Sequence, residues 1–171
     1  PIIMKNVLFL SVFLLLILVF LIFNNFFNFG PVANGVLVHD FLTNTFKIIV
    51  LSSGVLCFFI SKDYIWSSGW RSYEYFLLIS FSLLGLCLLV SSYDLISFYL
   101  AIELQSLSFY VLAAYQRNSA FSTEAGLKYF VLGAVSSGLL LFGSSLIYGF
   151  SGTTSFEALS RLFAENFISN S

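Results

Sequence analysis

Three ionisable side chains lie inside long apolar stretches, where charge has a physical cost: Lys47, Glu103 and Lys128. Glu103 lies deepest, more than about 10 Å from either end of its run at ~1.5 Å per helical residue. A carboxylate there costs several kcal/mol unless it is paired, hydrated or protonated. Such residues therefore face a protein interior and mark ion or proton paths. At about 100° per residue, Tyr99, Ser106 and Tyr110 share a stripe with Glu103 and offer it hydroxyl neighbours. Ser97, Ala101, Gln105 and Ser108 form a second, nearly opposite stripe, so protein is expected on both sides of this helix. A protonated structural glutamic acid, hydrogen-bonded to a neighbouring helix, would fit the same pattern.

Lys128 sits about two turns into its helix, close enough to the interface for its amine to snorkel. Glu124, four residues before it, has the favourable orientation for an i,i+4 pair, so an end-of-helix salt bridge explains both residues as well as a relay does. Lys47 is similar, with Asp40 as a partner two turns away. No nucleophile–base pair, nucleotide fingerprint, metal-ligand spacing, or haem or iron–sulfur ligand set is present, so no catalytic, cofactor or metal residue is assigned. His39, the single histidine, receives no role.

The elements that must hold these residues follow from composition. Of 171 residues 59% are hydrophobic and 9% charged, and the mean hydropathy is +0.98. A soluble domain carries about 25% charge. A water-soluble fold, a disordered segment and a basic nucleic-acid binder are thereby excluded, and the chain is read as an all-α polytopic membrane protein. Strand barrels fail because the runs do not alternate. Five runs have the ~20 residues a span needs: about 7–29, 41–61, 74–91, 95–115 and 122–149. They form a transmembrane domain over 1–151. The turn Ser91-Ser92-Tyr93-Asp94 makes a tight hairpin of the third and fourth helices. No cleavable signal is expected.

With five spans, Lys5, Lys62, Arg71 and Arg117 fall on one side and Arg161 on the other. This places the N-terminus inside and the C-terminal tail outside. Tyr64, Trp66, Trp70 and Tyr73 cluster in the second-to-third loop, at headgroup level. The tail, 152–171, is expected to be an amphipathic helix with Phe156, Leu159, Leu162 and Phe163 on one face. Gly133/Ser137 and Ala134/Gly138 have small-xxx-small spacing suited to close helix packing. Cys57 and Cys87 read as buried apolar residues without a disulfide. The Phe, Leu, Ile, Tyr, Asn and Ser bias is one that AT-rich coding, as in many organellar genomes, favours.

The stretch Ser92–Tyr115, with Glu103-Leu-Gln-Ser-Leu at its centre, is followed by Glu124-Ala-Gly-Leu-Lys128-Tyr. Further on come Ser136-Ser-Gly and Leu146-Ile-Tyr-Gly149. This wording resembles the subunit 2 family of NADH:ubiquinone oxidoreductase, respiratory complex I, within the antiporter-like subunits. The resemblance is strong over about 74–160. It implies a partial antiporter-like helix unit, with Glu103 as the family's mid-membrane glutamate and Lys128 as the lysine on the next helix. Both would belong to a proton relay, supported by Glu124, Tyr99, Ser106, Tyr110 and Lys47. The family's broken helix with its lysine would follow residue 160, so the remaining helices are expected on a second chain docking against the fourth and fifth helices.

The expected function is a proton-translocating membrane-arm subunit, part of an NADH:ubiquinone reductase with no redox chemistry of its own. Flavin, iron–sulfur clusters, NADH and ubiquinone would belong to other subunits. Expected partners are the other membrane-arm subunits and the lipid bilayer, not nucleic acid. The expected location is the inner mitochondrial membrane, with the N-terminus in the matrix and the tail in the intermembrane space. A subunit of a multi-subunit cation/proton antiporter and a non-pumping scaffold are the alternatives.

Overall fold

Apolar runs of this length can satisfy their backbone groups without water only as helices, and the chain folds accordingly. The computed structural model describes residues 2–24, 30–32, 35–67 and 72–169. In chain order these form α1 (Ile2–Asn24), β1 (Gly30–Val32), β2 (Leu37–His39), α2 (Phe41–Ser67), α3 (Ser72–Ser91), α4 (Leu95–Ala113), α5 (Ala120–Ser151) and α6 (Phe156–Ser169). By length and composition α2, α3, α4 and α5 can cross a membrane, and α1 contributes a shorter apolar stretch, Phe9–Ile22.

Local signals fix the helix ends. At the start of α2, Thr43 Oγ1 accepts from the Asp40 N–H and donates to the Asp40 carbonyl, each at 2.8 Å. Asp94 caps α4 by accepting from the Ile96 N–H, and Ser119 caps α5 by accepting from the Ser122 N–H. Gly152 ends α5 at φ 70°, a left-handed position that glycine adopts without a Cβ clash, and its N–H returns to the Tyr148 carbonyl.

Two elements differ from the sequence expectation. A short antiparallel ladder, Gly30–Val32 with Leu37–His39, occupies the first connection. Helix α2 also runs on to Ser67 instead of stopping near Ser61, so Lys62 and Tyr64 lie in its last turns and Tyr73 in the first turn of α3. These residues are therefore helical, not part of an aromatic loop. The side chains of Lys5 and Trp66, and residues 25–29, 70 and 71, lie outside the described residues.

The packed core joins α1, α2 and α3 through Val12, Leu15, Leu51, Phe58, Ile65, Phe76 and Leu83. Phe58 and Phe76 meet edge to face at 5.2 Å, a favoured aromatic geometry. Helix α5 contrasts with this core, since Gly126 is its buried residue.

The connectors gather at two ends. At one, the α3–α4 turn is a hub. The Tyr93 N–H donates to the Val36 carbonyl at 2.9 Å, Leu95 N–H to Thr154 at 3.0 Å, and Phe156 N–H to Tyr93 at 3.1 Å. The β-hairpin, the α3–α4 turn and the α5–α6 turn therefore share one side. At the other end Arg117 reaches Glu74 at 3.8 Å. The tail carries the helix α6, Phe156–Ser169. Leu159 is buried and Phe156 meets Phe98 of α4 at 6.3 Å, while Phe163 is left exposed.

Candidate functional site

Glu103 is the ninth of the 19 residues of α4, which puts it about 12 Å from one helix end and about 15 Å from the other. Ala101 and Ser108 are the buried residues of this helix. Gly85 of α3 lies so close to Gln105 that an added Cβ would sit 2.8 Å from its backbone nitrogen. The Ala101/Gln105/Ser108 stripe therefore faces α3. Ile96, Leu100, Leu107 and Val111 form another stripe that is more than half exposed, so α4 is not covered on every side by this chain.

The Oε1 atom of Glu103 is buried and has no hydrogen-bond partner among the described residues. Two of the three side chains expected beside it, Ser106 and Tyr110, are directed elsewhere. Ser106 Oγ donates to the Ile102 carbonyl at 2.7 Å. Tyr110 points toward α5, where its ring meets Tyr129 at 4.9 Å and Phe130 at 5.5 Å, both edge to face. It fills the notch left by Gly133, where an added Cβ would overlap the phenol oxygen. Tyr110 thus locks α4 to α5. A buried carboxyl oxygen without a partner loses its hydration and gains nothing in return. Such an atom identifies the place where a complementary group belongs.

Lys128 Nζ lies 2.6 Å from Glu124 Oε1, both side chains more than half exposed. The structure thus joins Lys128 to Glu124, in the i,i+4 pairing that the spacing allows, and makes no ion pair between Lys128 and Glu103. Lys47 does not pair with Asp40. It lines a cavity of about 520 Å³ with residues of α1, α3 and β2, to which α4 contributes nothing.

A cluster that the sequence reading missed lies at the end where α3 begins. Glu74, Tyr110, Tyr115, Arg117 and Thr123 line a cleft of about 430 Å³ between α3, α4 and α5. Burial, with the Glu74 carboxylate nearby, pushes the Tyr115 phenol above its usual range, so it stays neutral. The available signal was span parity, which already placed Glu74 and Arg117 on one side.

Residues 92–171 match the family described as NADH:quinone oxidoreductase/Mrp antiporter, TM. Over 131 residues the chain is 50% identical to NADH-quinone oxidoreductase subunit N of Paramagnetospirillum magneticum. Over 132 residues it is 49% identical to NADH-ubiquinone oxidoreductase chain 2 of Marchantia polymorpha. Residues 92–171 belong to this antiporter-like membrane family. Each alignment covers 77% of the chain and 27% of the relative, so the chain spans about a quarter of the length of the curated relatives it matches. Among solved structures, a chain of respiratory complex I from Thermus thermophilus superposes with a TM-score of 0.75 at 25% identity, covering 89% of this chain and 33% of that one. A chain of an archaeal membrane-bound sulfane sulfur reductase shares the fold, with a TM-score of 0.71 at 19% identity over 95% of this chain and 26% of its own.

Proposed function

We propose that the chain serves in the membrane arm of an NADH:quinone oxidoreductase of the complex I type and forms part of a proton path. The observation that carries this reading is the unpartnered, buried Oε1 of Glu103 at mid-membrane depth, within the residues that match the family. Electron transfer, with its flavin, iron–sulfur clusters, NADH and quinone, belongs to other subunits. A change of charge near Glu103 biases whether its carboxyl holds or releases a proton, by pair electrostatics that are strong where water is excluded. Lys128, tethered to Glu124 in this chain, is the next group of the relay.

The relatives are nearly three times as long as this chain. Helices from that remaining part of the family unit dock on the exposed faces of α4 and α5 and bring a cation to Glu103. Denaturing electrophoresis of the purified assembly reads whether those helices sit on a separate polypeptide, as the sequence reading expects. The β-hairpin end faces the intermembrane space and the Glu74–Arg117 end faces the matrix, a reading supported by Lys62 and Arg117 at the latter end.

The test is Glu103→Gln in the assembled complex. NADH oxidation coupled to quinone should persist while protons moved per electron fall; an unchanged ratio would overturn the relay. Flavin and iron–sulfur subunits in the purified assembly support a respiratory complex, and their absence would indicate a cation/proton antiporter.

A further inference from the structure

The cavity beside Lys47 lies outside the relay and has a composition of its own. It is a half-open slot of about 520 Å³ between α1, α2 and α3, within the ~300–1,000 Å³ of pockets that enclose small ligands. Its walls are mainly aliphatic, with Leu14 and Leu18 of α1 and Leu84 and Leu88 of α3 among them, and Ser11, Ser80 and Ser91 add a few hydroxyls. One wall residue carries a charge. Lys47, the seventh residue of α2, lies about 9 Å below the start of that helix, at a depth from which its stem and amine reach toward the headgroup layer. Among the described residues it has neither a carboxylate partner nor a hydrogen bond, and Asp40, the nearest acid in sequence, is exposed and makes no ion pair with it.

A cation beside an aliphatic slot in a membrane wall is complementary to one kind of molecule. Water alone would leave the leucine walls poorly covered. An apolar helix would fill the slot but leave the ammonium without a counter-charge, at a cost of several kcal/mol. An amphiphile with an acyl chain and an anionic head satisfies both features at once. We infer that this slot is a lipid site in which one acyl chain of an anionic phospholipid lies between α1 and α3 while Lys47 holds the headgroup. The lipid comes from the leaflet that the N-terminus of α2 enters. It fills the part of the α1–α3 seam that the core residues Leu15, Leu51 and Leu83 leave open beside them. This site does not depend on proton movement through Glu103.

The test uses the intact assembly in its native membrane or in reconstituted vesicles. Two probes are compared, a phosphatidylglycerol and a phosphatidylcholine, each with a diazirine in one acyl chain. After illumination the labelled peptides are read by mass spectrometry. The expected result is labelling of Leu10–Leu18 and Leu83–Leu88 that favours the anionic probe about fivefold or more, the bias one lysine gives near a membrane surface. Lys47→Gln should bring that ratio to about one, while Lys47→Arg should preserve it. Equal labelling by the two probes in the unaltered protein would overturn the proposal, as would a slot that takes no label because a protein helix covers it. Should Lys47→Gln fail to assemble, the ratio in the unaltered protein and in Lys47→Arg still decides.

Discussion

Gly85 on α3 and Gly143 on α5 offer the same substitution in opposite surroundings. A Cβ on Gly85 would sit 2.8 Å from the backbone nitrogen of Gln105 and 3.1 Å from its Cα, whereas one on Gly143 meets nothing within 4 Å. Ordinary contact starts near 3.4 Å, so Gly85→Ala forces α3 and α4 apart by roughly 0.6 Å. No rotamer change relieves the clash, because the obstacle is backbone. Overpacking of this kind costs about 1–3 kcal/mol, while Ala in place of a helical Gly returns about 0.5–1 kcal/mol. The helix-propensity gain is common to both variants and cancels in their difference, which leaves the overpacking cost alone. Taking its midpoint, and about 2–4 °C per kcal/mol for a chain of this size, Gly85→Ala should melt roughly 4–8 °C below Gly143→Ala. Thermal unfolding of the two variants in the same detergent, followed by tryptophan fluorescence and circular dichroism, checks this. Equal melting temperatures, or Gly143→Ala as the less stable, would refute the close α3–α4 contact from which Glu103 is presented.

Lys128→Met removes the i,i+4 partner of Glu124, and proton pumping by the assembled complex should fall; normal pumping would remove Lys128 from the relay. Asp94→Ala deletes the α4 cap, and about 1 kcal/mol of stability with it, seen as a melting temperature lower by about 2–4 °C. Phe156→Ala abolishes the edge-to-face contact with Phe98, and amide exchange over 156–162 should quicken roughly tenfold if that ring holds α6 down.

The helices were legible because an apolar run of twenty residues has few other structures open to it. The turn at Ser91–Asp94 and the Glu124–Lys128 pairing were legible because each depends on neighbours in sequence. The hairpin Gly30–Val32/Leu37–His39 was not. Each strand has three residues, too few for a period to show, and it is held by Tyr93, far along the chain. Tyr110 shows the limit of helical periodicity. The stripe put its ring on the side of Glu103, but the empty notch at Gly133 on the next helix decided where the ring went. The cavity at Lys47 arises from three helices packing together, and no single segment encodes it. Glu103 was legible as a costly charge, yet its lack of a partner became visible only once Ser106 and Tyr110 were seen to be committed elsewhere.

The most direct measurement is a cryo-EM map of the intact membrane assembly at Glu103. A lysine amine from a helix docked on α4 or α5, within about 4 Å of Oε1 or linked to it by one ordered water, is the predicted result. A carboxyl enclosed by apolar side chains, with no cation and no water at Oε1, would contradict it.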